Sequence, residues 1–272
     1  MWTIERQHNF HNNEHGAEIQ SRMQTDLRAL QGLSRQLPEM TGGRIIVEKG
    51  YAVDAACNGR LTRIHYDSDI ILATPYVDEP EALLVLVKEA LDRSTGIQWV
   101  ATPQKRPSWV KFHEIGKRQW DDGVTDTIKD QELAQHMDLH LVRSADPFAS
   151  DDMVELNPKQ GVVYRKMIRT AEIRDTFGEK YELTIPTVSD MLAAKLRLIR
   201  SFDTFYGHTL RASDLYDFEL LFSHPDFYYD EFIAILEDYY MSQNLSKDVA
   251  HATIRAALDN ILQLLPDGLV KG

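Results

Sequence analysis

Two aspartates separated by one residue, Asp67 and Asp69, lie at the start of a predicted strand. Side chains two residues apart in a strand point to the same side, so both carboxylates can face one site. Neighbouring carboxylates repel each other unless a cation lies between them, and Mg²⁺ prefers carboxylate and phosphate oxygens. Such an ion would neutralise charge on a leaving pyrophosphate and orient an α-phosphate for in-line attack. With 42 acidic residues in the chain, the pair could equally be a solvated strand edge.

A glycine turn precedes the two aspartates. The apolar run 45–47 leads into Lys49 and Gly50 and then into a predicted helix over 51–58. Glycine permits a close approach to the backbone, and the start of a helix carries partial positive charge. This turn can therefore hold a phosphate.

The residues from this turn to the two aspartates resemble the nucleotidyltransferases that modify aminoglycosides and lincosamides. In that family two glycines and an aromatic residue precede a helix, which Gly-Arg-x-Thr-Arg-Pro-His-x-Asp-x-Asp follows. The matching residues here are Gly50, Asp54, Gly59, Arg60, Thr62, Arg63, His65, Asp67 and Asp69. The resemblance implies that the two aspartates bind Mg²⁺ and act in catalysis. It also implies that Gly50, Thr62 and Arg63 bind the nucleotide, and Lys49 joins this candidate set because it lies in the same turn.

Two positions depart from this family pattern. Lys49 stands where the first of the two glycines is usual, so the phosphate turn is altered or the lysine itself meets a phosphate. Ile64 stands where proline is usual. Neither change removes a metal ligand, but a catalytically degenerate nucleotide-binding module remains an alternative.

A third carboxylate is expected on a neighbouring strand, because members of this superfamily often carry one within Asp-x-His. Here Asp138-Leu139-His140 begins an apolar strand. The resemblance implies that Asp138 completes the metal site or takes the proton of the acceptor hydroxyl. The alternative is an aspartate in a turn at the end of a strand.

The C-terminal half has charged residues within apolar helical stripes. Lys195 shares one predicted helix face with Val188, Leu192, Ile199 and Phe202. A lysine there either reaches the surface or is held inward beside an anion. In the next helix Asp214 and Asp217 share a face with flanking leucines, which suggests a polar site within a core. They could also be surface positions, because Leu215, Phe218 and Phe222 form a competing apolar face.

These C-terminal residues resemble the Lys-Leu and Arg-x-x-Asp-x-x-Asp signatures of AbiE-type toxin nucleotidyltransferases, a group that includes toxins of toxin–antitoxin pairs. The matching segments are 192–197 and 211–217. The resemblance implies that Lys195 contacts the nucleotide phosphates. It also implies that Asp214, with Asp217 as a nucleotide-binding neighbour, lies at the active site, so Lys195 and Asp214 join the candidate catalytic residues.

The elements that must position these residues divide the chain into three parts. Apolar periodicity predicts a helical extension over residues 1–40, strands alternating with helices over 41–150, and a helical domain over 151–272. The fold class that follows is α/β (α+β), with a mixed-sheet nucleotidyltransferase domain followed by a C-terminal helical bundle. The active site is expected in the cleft between them.

Composition and net charge indicate which classes of binding partner to expect. No apolar run reaches the roughly 20 residues that a membrane-spanning helix needs, so no membrane association is expected. Cys57 is the only cysteine, which allows no internal disulfide and favours a reducing cytoplasm. The net charge of −12 argues against broad nucleic-acid binding and favours a cationic acceptor. The basic residues Arg165, Lys166, Arg169 and Arg174 form either a local strip for RNA or a solvated helix face.

The function expected from these features is an enzyme, a Mg²⁺-dependent nucleotidyltransferase that moves NMP from an NTP to an acceptor hydroxyl. The toxin-like interpretation has RNA or protein as acceptor and allows an antitoxin partner. The alternatives are transfer to a cationic small molecule of the aminoglycoside kind, and nucleotide binding without turnover.

Overall fold

The computed structural model describes residues 16–63, 65, 67–104, 108–114, 136–159, 162–205, 212–263 and 265. Within these ranges there are seven helices and eight strands. In chain order they are α1 (Gly16–Thr41), β1 (Arg44–Glu48), α2 (Lys49–Cys57), β2 (Ser68–Thr74), α3 (Pro80–Thr95), β3 (Trp99–Pro103), β4 (Trp109–Glu114), β5 (His136–Arg143), β6 (Met153–Lys159), β7 (Val162–Arg174), β8 (Lys180–Pro186), α4 (Val188–Phe205), α5 (Ala212–Ser223), α6 (Tyr229–Ser242) and α7 (Lys247–Leu262). Some of the predictions concern positions outside the described residues, namely residues 1–15, Ile64 and Arg211.

The strands form a mixed sheet. β1 pairs antiparallel with β2, and β2 pairs in parallel with β5. β4 lies antiparallel to both β5 and β3. β6 joins β5 through the register pair of Arg143 and Asn157, and β7 and β8 follow antiparallel. A mixed sheet combined with helices confirms the predicted α/β class.

Side chains of the central strands alternate between two apolar clusters. Ile45 and Val47 belong to the larger cluster, which includes the buried residues of α1 and α3, whereas Ile46 belongs to a smaller cluster on the other face. Asp69 lies two residues before Ile71, a member of the smaller cluster, so it points to that second face. The carboxylate site is therefore on the side of the sheet opposite α1 and α3.

Helix α1 is part of the main core. Its apolar stripe is fully buried and comprises Ile19, Met23, Leu27, Leu30 and Leu33. The helix packs against α3, β1 and β8. A helix was predicted for this part of the chain, and its contacts with β1 and β8 join it directly to the sheet.

The helical prediction for 151–272 is wrong over residues 153–186, which form β6, β7 and β8. Burial over residues 162–168 of β7 follows a period of two, the periodicity of a strand. Lys166 is buried while its neighbour Arg165 is exposed, so the four predicted basic residues do not form a solvated helix face. Helices begin only at Val188, and the division of the chain at residue 150 stays a prediction.

The start of α4 is capped by Thr187. The amide of Asp190 donates to Thr187 Oγ1 at 3.3 Å, as expected for a threonine at this position. The Asp190 carboxylate accepts from the Met167 amide at 3.1 Å and pairs with Lys166 Nζ at 2.9 Å. The cap thereby attaches α4 to β7. Among the helices that the structure describes, none has the length and apolarity needed to cross a bilayer.

Candidate active site

The three predicted carboxylates meet at one edge of the central strands. Asp69 in β2 and Asp138 in β5 are register partners in the parallel pair, and Asp67 directly precedes β2. Candidate ligand oxygens of the three side chains lie within 4.8 Å of one another. Asp69 is buried, Asp138 half-buried and Asp67 exposed. The site is therefore buried at Asp69 and open to solvent at Asp67.

Burial and repulsion from neighbouring carboxylates disfavour the charged forms of Asp69 and Asp138. Burial raises the pKa of Asp69, and the charges of Asp67 and Asp138 add to this, while Lys49 opposes it. Burial also raises the pKa of Asp138, against the lowering effect of Lys111. A divalent cation would relieve this repulsion, and three carboxylate oxygens are the hard ligands that Mg²⁺ prefers. The residues present therefore fit a Mg²⁺ site.

Lys49, at the first position of α2, contacts this carboxylate cluster. Its backbone has φ of +52°, in the left-handed region that glycine usually occupies. Its ammonium group forms an ion pair with the Asp69 carboxylate. This chain therefore has a left-handed turn at Lys49 and a cation within that turn.

Gly50 is required for close packing against His65. A Cβ atom at position 50 would lie 2.3 Å from His65 Nδ1, a distance that real side chains do not tolerate. His65 also lies against the ring of Tyr51, with ring centroids 4.5 Å apart. The second residue of the glycine turn thus positions the motif loop 58–65.

Replacing Gly50 with alanine is expected to lower the free energy of unfolding by about 1–3 kcal/mol, because the added methyl group displaces His65. Urea unfolding followed by circular dichroism measures this. In a His65→Ala background the clash is absent, and the same change should stabilise the helix by up to about 1 kcal/mol. An equal cost in both backgrounds would contradict the proposed contact.

Asp54 in α2 organises the motif loop. Its carboxylate accepts from the Thr62 amide at 2.9 Å and from the Thr62 hydroxyl at 2.6 Å. It also lies 2.9 Å from His65 Nε2 and accepts from Asn58 Nδ2 at 3.0 Å. Thr62, predicted to bind nucleotide, is thus held by its hydroxyl to Asp54. Asp54 matched the family motif, but no role was predicted for it.

Two residues of α1, one beside this loop and one beside α2, support the site and were not predicted from the sequence. Arg22 donates to the backbone carbonyl of His65, and Asp26 accepts from the Tyr51 hydroxyl at 2.8 Å. Both are buried. The available signal was a charged pair four residues apart beside the apolar stripe of α1, which periodicity alone does not interpret.

Burial raises the pKa of Asp26 to about 7. The unfolded chain loses this proton near the ordinary value of 3.8, so the native state binds more protons between these values. The contribution of Asp26 to the free energy of unfolding should therefore fall as pH rises through this window, by at most about 1.4 kcal/mol per pH unit. Urea midpoints at pH 5 and pH 7 should show a stability gain of Asp26→Asn over wild type that increases with pH. A pH-independent difference would rule out this titration.

The predicted C-terminal residues form a second charged group with Arg63. Asp217 in α5 pairs with Arg63 at 2.5 Å and with Lys195 Nζ at 2.7 Å. Asp214 lies 3.7 Å from Lys195 Nζ. The Lys195 side chain is 11% exposed, so it is held inward beside carboxylates, one of the two predicted possibilities. The competing face of α5 is buried too, because Leu215, Phe218 and Phe222 lie in the core.

The structure therefore sorts the predicted residues into two groups. The first contains Asp67, Asp69, Asp138 and Lys49; the second contains Arg63, Lys195, Asp214 and Asp217. Helix α2 and the motif loop connect the two groups. Lys49 is the first residue of α2, Asp54 binds the loop, and Arg63 extends from the loop to Asp217 in α5. Gly50 and Thr62 lie along this connection and contact His65 and Asp54.

No family model and no curated protein matches the sequence. Among solved structures, the antibiotic-resistance factor ANT(2'')-Ia is similar at 13% identity and TM-score 0.41, over 89% of this chain and 95% of that one. MenT4, a nucleotidyltransferase toxin from Mycobacterium tuberculosis H37Rv, is similar at 10% identity and TM-score 0.41, over 95% and 97%. An antigenic nucleotidyltransferase-like protein from Paracoccidioides brasiliensis is similar at 13% identity and TM-score 0.37, over 88% and 93%.

Proposed function

We propose that this chain is a Mg²⁺-dependent nucleotidyltransferase that moves NMP from an NTP to the hydroxyl group of an acceptor. The observation that carries the proposal is the convergence of Asp67, Asp69 and Asp138, whose ligand oxygens lie within 4.8 Å of one another. The glycine turn and the motif loop held by Asp54 lie directly beside this cluster. Carboxylates on neighbouring strands with an adjacent anion-binding turn suit a reaction at a phosphate.

The carboxylates have distinct roles in this proposal. Asp67 and Asp69 hold Mg²⁺, which when bound neutralises charge on the triphosphate. Asp138 is the third ligand or the base that accepts the proton of the acceptor hydroxyl. The base role is supported by burial, which raises the pKa of Asp138 and so makes its carboxylate more basic than an exposed one.

Lys195 is the proposed phosphate-binding residue of the helical side. Its ammonium group lies 2.7 Å from the Asp217 carboxylate and 3.7 Å from the Asp214 carboxylate. These two carboxylates orient the ammonium group. Arg63 comes from the motif loop and shares Asp217 with it. Through these ion pairs, Asp214 and Asp217 would position the side chains of Lys195 and Arg63, two cations that can bind the oxygens of a triphosphate.

For the acceptor, we favour RNA or protein, because Lys195, Asp214 and Asp217 match the signatures of the toxin-like group; this function allows an antitoxin partner. Two observations favour a cationic small molecule instead. The chain has a net charge of −12. Moreover, Lys166 is buried between Glu48 and Asp190 and Arg169 pairs with Asp226, so these two cations do not extend a basic RNA-binding strip.

Transfer of label from each α-³²P-labelled NTP, with Mg²⁺ and total RNA, tests the proposal. Products are resolved as RNA, protein and small molecules, and parallel reactions contain EDTA or a panel of aminoglycosides and lincosamides. Metal-dependent label on RNA or protein supports the toxin-like acceptor, and label on an antibiotic supports the alternative. Nucleotide binding with no transfer and no pyrophosphate release under any condition would leave only the non-catalytic binding module.

A further inference from the structure

Lys49 has a backbone conformation that its side chain does not favour. Among the described residues other than glycine, only Lys49 and Asn244 have positive φ, and asparagine tolerates this region better than lysine. The left-handed conformation brings a Cβ atom close to the following carbonyl group and costs free energy. A glycine would adopt the same turn without that cost. The lysine side chain therefore needs a compensating interaction.

The compensating interaction is the ion pair with Asp69. The Asp69 side chain is 3% exposed and fixed within β2, whereas the Lys49 side chain is 47% exposed. The carboxylate is thus the stationary partner, and the ammonium group has solvent into which it can move. Asp67 also attracts Lys49 electrostatically. Lys49 consequently supplies the positive charge that the carboxylate cluster needs.

We propose that Lys49 is a displaceable counter-ion. Its ammonium group pairs with the Asp69 carboxylate until Mg²⁺ and NTP bind together, and it then moves to pair with a phosphate oxygen. This inference rests on the proposed function. The ammonium group and a divalent ion compete for the same carboxylate, so the free metal must displace a cation before it can bind. A triphosphate offers the displaced ammonium group another anionic partner.

The consequence is positive coupling between metal and nucleotide. Free metal binds weakly, because it must displace the Lys49 ammonium group from Asp69 and the displaced cation gains no new anionic partner. With nucleotide present, the same ammonium group gains a phosphate, and the metal loses its competitor. Coupling of binding free energies is reciprocal, so the metal should raise nucleotide affinity by the same factor.

Titration with Mn²⁺, followed by the electron paramagnetic resonance signal of the free ion, tests this inference. The variants Lys49→Gly and Lys49→Asn both suit a positive φ and both remove the ammonium group. Without nucleotide, each should bind Mn²⁺ about tenfold more tightly than wild type. Separate titrations with the α,β-methylene analogues of ATP, GTP, CTP and UTP, corrected by protein-free blanks, should show a smaller nucleotide-induced gain in the variants.

Two further variants separate the possible failures. Lys88→Met removes a surface lysine that pairs with Asp92 on α3, and it should leave the Mn²⁺ affinity unchanged. Asp69→Asn should abolish tight Mn²⁺ binding; if it does not, the proposed metal site itself is wrong. If Asp69→Asn abolishes binding while both Lys49 variants bind Mn²⁺ no more tightly than wild type, the counter-ion inference is overturned and the metal site stands.

Discussion

Replacing Asp69 with asparagine is expected to lower the rate of nucleotidyl transfer by about a thousandfold or more. Asp69 is the buried member of the carboxylate cluster and lies opposite Asp138 in the sheet. An amide of the same shape removes one anionic ligand, and loss of charge stabilisation by a metal costs several kcal/mol in the transition state. Initial rates of label transfer at saturating NTP and Mg²⁺ measure the effect.

The matched control for this variant is Asp230→Asn, at an exposed position in the first turn of α6. It makes the same chemical change far from the cluster in sequence and should retain wild-type activity. Circular dichroism should show that both variants are folded, because Asn fits the space of Asp. An Asp69→Asn rate within tenfold of wild type would exclude the carboxylate cluster as the reaction site.

Replacing Asp217 with asparagine is expected to reduce the free energy of unfolding by about 3 kcal/mol. The Asp217 side chain is 4% exposed and pairs with both Arg63 and Lys195. Its loss leaves two cations in a nearly water-free environment without their shared anion, and breaking a buried ion pair on one side has costs of this size. Urea unfolding followed by tryptophan fluorescence measures the change.

Asp214→Asn provides the comparison, since it makes the same change on the same helix. Asp214 lies 3.7 Å from Lys195 and is 19% exposed, so its removal should cost less than about 1 kcal/mol. As a proposed active-site residue, it should still lower the transfer rate. Equal stability losses at positions 214 and 217 would show that Asp217 does not connect the motif loop to the helices.

Local sequence patterns predicted most of the elements. The strands near 45–47, 69–72 and 139–142 were expected because they are short, mainly apolar runs between polar segments, and the C-terminal helices because their apolar residues repeat with the helical period. The segment 153–186 was not, although β7 alternates in burial. Lys166 occupies an inward position there, and a charged residue at a core position hides the strand pattern. Its burial depends on Glu48 and Asp190, which lie far away in the sequence.

The sequence by itself determined that Asp67 and Asp69 can face one site, because they are close in the chain and strand geometry turns both to one side. Only the tertiary structure decided which distant groups join them. Parallel pairing of β2 with β5 brings Asp138 beside Asp69, and the left-handed turn at Lys49 directs an ammonium group onto the same carboxylate. Likewise, Lys195 points inward because Asp217 offers it a buried charge. Spacing along one element specifies which side chains share a face, whereas pairing between elements selects the partners that balance their charges.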